Sequence, residues 1–197
     1  EYLYTSGGKK VRKNISTGNL MDTSLVDYLD GFQYGNGSLQ FFPTSEGYVR
    51  VTDVKGIYVY SYVYNYTDHL GNIRLSYAKD TENPNVLKIL EENHYYPFGL
   101  KHANYNSDLL VHREHRGALG IKDPMIPEPL VPVLAYNYKY NGKEFQDEMG
   151  LNLYDYGARN YDPALGRWMN IDPLAEITLS MSPYNYVKNN PVKLIDP

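Results

Sequence analysis

Hydrophobic and polar positions alternate most regularly along residues 58–66, Tyr-Val-Tyr-Ser-Tyr-Val-Tyr-Asn-Tyr. A period of two is strand periodicity, so Tyr58, Tyr60, Tyr62, Tyr64 and Tyr66 fall on one face and Val59, Ser61, Val63 and Asn65 on the other. Asp68-His69-Leu70-Gly71-Asn72 then carries turn residues, and Ile73, Leu75 and Tyr77 alternate with polar neighbours. This predicts a long hairpin.

The same grammar recurs. Tyr2-Leu3-Tyr4 runs into Gly7-Gly8 and then a polar strand around Val11. Tyr136, Tyr138 and Tyr140 lead into Asn141-Gly142, the strongest short hairpin signal. Tyr154-Asp155-Tyr156-Gly157 and the stretch from Tyr161 to Arg167 follow suit. A degenerate unit of tyrosine-rich strand, glycine turn and second strand is therefore expected. Hairpins that each bury one face need neighbours to complete a core. Helix is sparse: Lys143 to Met149, closed by Gly150, predicts about two turns, and Leu174 to Ser180 predicts another with Asp172 as N-cap. Residues 104–135 break the pattern, with Pro124, Pro127, Pro129 and Pro132 behind the charged run His112-Arg113-Glu114-His115-Arg116. They read as an exposed loop or insertion.

Composition sharpens this. Tyrosine accounts for 22 of the 197 residues, against 5 Phe and 1 Trp. Tyr favours strands and can fill space while its hydroxyl hydrogen-bonds. The formal net charge of −4 argues against a strongly electrostatic nucleic-acid binder. The absence of cysteine excludes a disulfide framework, a thiolate zinc site and thiol catalysis. No apolar run of the length a membrane helix needs occurs. The first residues form neither a signal peptide nor a start methionine, so the chain reads as a segment of a longer protein.

Several motifs together identify a resemblance. They are Tyr64 to Arg74, Asn93-His94-Tyr95-Tyr96-Pro97-Phe98-Gly99-Leu100, Tyr140 to Phe145, Gly150 to Pro163, Gly166 to Pro173, Ser182 to Pro191 and Ile195-Asp196-Pro197. Their order resembles the RHS repeat-associated core domain of RHS/YD-repeat polymorphic toxins. The match covers nearly all the chain outside 104–135. The resemblance implies a mainly β fold: YD-repeat antiparallel hairpins forming the end of a β-shell, or cocoon, with short helices in the C-terminal core domain. It divides the chain into hairpins (1–103), the Pro-rich loop (104–135) and the core with an aspartyl autoprotease motif (136–197). It implies as partners a downstream toxin domain, held inside and cut free, and an upstream shell of the same polypeptide. Secretion machinery or an immunity protein would engage through the toxin. It implies a secreted or cell-surface bacterial protein, and sheet edges completed by upstream repeats.

The family's protease motif is two Asp-Pro-x-Gly elements with an upstream arginine. Asp172-Pro173 and Asp196-Pro197 match the two pairs, and Arg159 matches the arginine. Ala175 stands where the first element has Gly. Two adjacent carboxylates do not both ionise cheaply, so one can activate water while the other supplies a proton, and an arginine can stabilise the oxyanion. Arg167 is a rival for that role. The competing reading gives Asp172 and Asp196 turn and capping duty alone, as at Asp123-Pro124 and Asp162-Pro163. A catalytically inactive shell module, serving encapsulation, adhesion or glycan binding, is then the alternative function.

Other sites fare worse. His112, Glu114 and His115 lack a third metal ligand at a recognisable spacing. Gly35-Asn36-Gly37 lacks the lysine and helix start of a phosphate loop. No metal or cofactor is expected.

Overall fold

The computed structural model describes residues 1–16, 23–54, 56–80, 83, 85–102 and 135–196. Residues 103–134, with the charged run and the prolines, lie outside them, as does Pro197. The described residues are mainly β.

Nine antiparallel strands form one sheet: β1 (Tyr2–Tyr4), β2 (Lys10–Ser16), β3 (Thr23–Leu29), β4 (Phe32–Gly35), β5 (Ser38–Thr44), β6 (Gly47–Val54), β7 (Ile57–Thr67), β8 (Ile73–Lys79) and β9 (Leu87–Glu92). Each strand lies beside its sequence neighbours, a pure meander. A second meander holds β10 (Glu144–Gln146), β11 (Leu153–Asp155), β12 (Asn160–Asp162) and β13 (Arg167–Trp168).

The Tyr58–Tyr66 alternation is β7, paired with β6 from Gly47↔Tyr64 to Val54↔Ile57. Period-two geometry forces the two faces apart. Tyr58, Tyr60, Tyr62, Tyr64 and Tyr66 are all exposed, while Val63, on the other face, is 3% exposed and opposite the buried Tyr48. Val26, Phe41, Tyr48, Val49 and Val51 are buried in the same sheet.

One local expectation is corrected. Residues 143–149 are not helical: Glu144–Gln146 is a strand against β11, and Glu148–Gly150 is a single 3₁₀ turn. Alternate burial of Glu144 and Gln146 and the bond from Phe145 N to Asn137 O satisfy this backbone as sheet. The second predicted helix shortens to the 3₁₀ turn Ala175–Thr178.

The chain divides into two compact units, one built on residues 1–66 and 75–92, the other on 67–74, 93–102 and 136–196. The core of the second unit is almost wholly aromatic: Tyr95, Tyr140, Tyr154, Tyr161, Trp168 and Tyr186, with Phe98, Phe145 and Tyr156 against it. Tyrosine tolerates such depth because its hydroxyls find acceptors. Tyr140 donates to Pro97 O at 3.0 Å, Tyr161 to Phe98 O at 2.8 Å and Tyr95 to Ile73 O at 3.2 Å. The Tyr96–Leu100 turn needs Gly99, whose φ is +86° and which lies flat against the Tyr140 ring.

The turn 68–72 belongs to this unit. Asp68 accepts from Leu70 N, Asn72 N, Asn72 Nδ2 and Arg74 Nε at 3.0, 3.1, 2.9 and 2.7 Å. Burial opposes its charge, yet these donors hold its carboxyl below the ordinary carboxylate range. Asn72 Oδ1 then accepts from Asn141 N at 2.8 Å, and Asn141 Nδ2 donates to Leu70 O at 2.9 Å. Asn141 reaches this position because it occupies the left-handed region (φ +49°) ahead of Gly142 (φ +65°), the predicted Asn-Gly turn.

Candidate functional site

Arg159 follows the turn after β11 and immediately precedes β12. Its Nη2 donates to Asp196 Oδ2 at 3.0 Å. Its Nη1 lies 2.5 Å from Asp172 Oδ2 as an ion pair without hydrogen-bond alignment. The arginine side chain is 13% exposed, the two carboxylates 31% and 29%. Residues 13 and 37 positions away in sequence thus meet on one guanidinium (172 − 159 and 196 − 159).

Local structure explains how Asp172 is presented. Its amide donates to Pro183 O at 3.0 Å. Its Oδ1 accepts from Leu174 N at 2.9 Å, and its carbonyl accepts from Ala175 N at 3.0 Å. Asp172 therefore closes a local turn onto Leu174 with one oxygen and meets Arg159 with the other; it is not the expected helix N-cap, a position that Leu174 occupies without a side-chain cap. The Leu174 amide, opposed by desolvation and helped by Arg159, holds its carboxyl below the ordinary range. Ala175 opens the 3₁₀ turn and is not among the residues with positive φ, so alanine fits there without strain.

Behind the guanidinium stands Trp168, with Arg159 Cζ 4.0 Å from the ring centroid. Tyr156, Tyr161 and Tyr186 pack edge-on against the indole. Tyr156 and Tyr186 both reach Asn141 Oδ1, at 2.9 and 2.7 Å, and lie 2.9 Å from each other. Two hydroxyl protons serve three contacts there. Burial pushes both hydroxyls up in pKa, so they stay neutral.

Arg167 points elsewhere: its Nη1 donates to Gly166 O and Asn189 Oδ1, both at 2.9 Å. His112, Glu114 and His115 lie outside the described residues. Among the described residues no group of three metal-ligand side chains converges. None of their helices is long and apolar enough to cross a membrane. Trp168 has no marker of function in the sequence. Its one signal is position, directly beside Arg167 and within the Gly166–Pro173 motif.

No protein-family model matches the chain. It is 29% identical over 159 residues to salivary gland surface protein 1 of Aedes aegypti, which covers 68% of the chain and 4% of that protein. It is 44% identical over 59 residues to toxin subunit YenC2 of Yersinia entomophaga, covering 30% of the chain and 6% of that protein. The crystal structure of TcdB2-TccC3-TEV superposes over 100% of the chain and 9% of its own, with a TM-score of 0.66 and 25% identity. The chain is thus similar to toxin subunits, shares the mainly β architecture of their shells, and spans a small part of each relative's length.

Proposed function

We propose that the chain closes the end of an RHS/YD-repeat toxin shell that encapsulates a downstream toxin domain and releases it by aspartyl autoproteolysis, as a secreted bacterial protein. The observation that carries this reading is the convergence of Asp172 and Asp196 on the two terminal nitrogens of Arg159. The likeness to toxin subunits supports the setting.

The chemistry follows from the donors. Asp172, held ionised by Leu174 N–H and Arg159, takes a proton from water, whose oxygen attacks the scissile carbonyl carbon. Charge develops on the carbonyl oxygen, and the guanidinium beside it stabilises that charge. The proton that Asp172 takes from the water then passes to the leaving amine as the C–N bond breaks, which restores the Asp172 carboxylate, and Asp196 holds the second terminal nitrogen of Arg159. A scissile segment tethered beside Asp196 reacts at high effective concentration, which suits a single turnover.

A second reading has one observation in its favour. Asp172 already caps a turn and Arg159 already neutralises both carboxylates, so the three residues could be a structural clasp in an inactive shell module. The longest polypeptide carrying this sequence is expected to yield a C-terminal fragment by mass spectrometry, and Asp172→Asn and Asp196→Asn are each expected to abolish it. Cleavage that persists in both variants overturns the catalytic assignment. An intact wild-type polypeptide that loses stability on either substitution establishes the clasp instead.

A further inference from the structure

Trp168 is the only tryptophan in the sequence and is 2% exposed. Its indole face carries the Arg159 guanidinium, with Cζ 4.0 Å from the ring centroid. The terminal nitrogens of that guanidinium reach away to Asp172 and Asp196. A planar cation lying on a ring, with its nitrogens directed at acceptors, is constrained on its face by the ring and on its edge by the carboxylates. Excluding water from the ring side also strengthens its field on the carboxylate side.

The indole is itself fixed. It meets Tyr156 at 5.0 Å and 89°, Tyr186 at 5.3 Å and 76°, and Tyr161 at 5.6 Å and 69°, all edge-to-face. Its amide donates to Tyr184 O at 3.1 Å, and its β13 position lies opposite Tyr161. The aromatic core thus ends in one ring face, and that face holds the cation.

We infer that Trp168 is a positioning residue, whose indole holds the Arg159 guanidinium so that one terminal nitrogen addresses each carboxylate. The kinetic consequence rests on the self-cleavage reading; the placement of the cation does not.

Two measurements separate them. In the 197-residue chain, acrylamide quenching of the single tryptophan reads how well Arg159 covers the indole. Arg159→Ala is expected to raise the quenching constant with unchanged far-UV circular dichroism, and Arg159→Lys to raise it less. An unchanged constant in Arg159→Ala overturns the inference. In the cleaving polypeptide, Trp168→Leu is expected to slow self-cleavage about tenfold. Its acid limb should move to higher pH, because Asp172 loses the nearby positive charge of its ion pair with Arg159. Trp168→Phe, which restores a ring face, is expected to recover most of the rate. Trp168→Leu cleaving at the wild-type rate and pH, or Trp168→Phe failing as badly as Trp168→Leu, overturns the inference. If the wild type does not cleave, self-cleavage falls and the quenching result alone decides the placement.

Discussion

Adding one methyl group at Gly99 tests how tightly the aromatic core is built. A Cβ there would sit 2.6, 2.7 and 2.8 Å from Cδ1, Cγ and Cε1 of Tyr140. The ring has little room to retreat: Tyr140 is 1% exposed, its hydroxyl is held by Pro97 O, and the rings of Tyr95 and Tyr154 lie 5.9 and 5.7 Å away. The backbone at φ +86° adds a penalty of its own. Left-handed backbone costs a non-glycine residue about 1–2 kcal/mol, and overpacking costs about 1–3 kcal/mol. Gly99→Ala should therefore destabilise the second unit by roughly 2–5 kcal/mol. Urea unfolding followed by Trp168 emission uses a probe that lies in that unit. With a slope of about 2 kcal/mol/M, the midpoint should fall by about 1–2.5 M. Gly99→Ala combined with Tyr140→Leu isolates the collision, with an expected coupling of at least about 1 kcal/mol. A midpoint shift under about 0.3 M would refute the reasoning.

Two further outcomes follow from charges already placed. The Asp172 carboxyl is held low in the folded chain, so its stabilisation is present above the unfolded carboxylate pKa and lost as pH falls through the folded value. Arg159→Leu should thus cost about 1–3 kcal/mol at neutral pH, with the deficit narrowing below about pH 4; a pH-independent deficit in chemical denaturation counts against it. Asp68→Ala strands four donors of the 68–72 turn and should cost about 2–3 kcal/mol. Amide exchange at Leu70 and Asn72 should accelerate with it, and unchanged protection there would remove Asp68 as the organiser of the turn.

The alternation at 58–66 was legible because a strand writes its period directly into the sequence, and the Asn141-Gly142 turn because its dihedrals exclude most other residues. What tyrosine does was less legible. Residues of one type divide into an exposed stripe on β7 and a buried core around Tyr140, Tyr154, Tyr161 and Tyr186, a division set by long-range packing that composition cannot carry. Residues 143–149 read as helix because Lys, Glu, Gln and Met favour it locally; pairing with β11 overrides that weak preference. Arg159, Asp172 and Asp196 stand out in the sequence only through a resemblance. The contact between Arg159 and Trp168 needs a three-dimensional structure, because they lie nine positions apart across a strand turn (168 − 159).

The order β1 to β9, each strand beside its chain neighbours, has a consequence for how such a sheet changes length. Among the described strands no crossover threads past another. A hairpin can be duplicated or lost in frame by shifting only its two immediate pairings, leaving every other register intact. Folding can likewise proceed as a zipper, each strand docking on the one just made at the entropic cost of a short loop. Wall length then becomes a quantity that gene duplication can adjust one hairpin at a time.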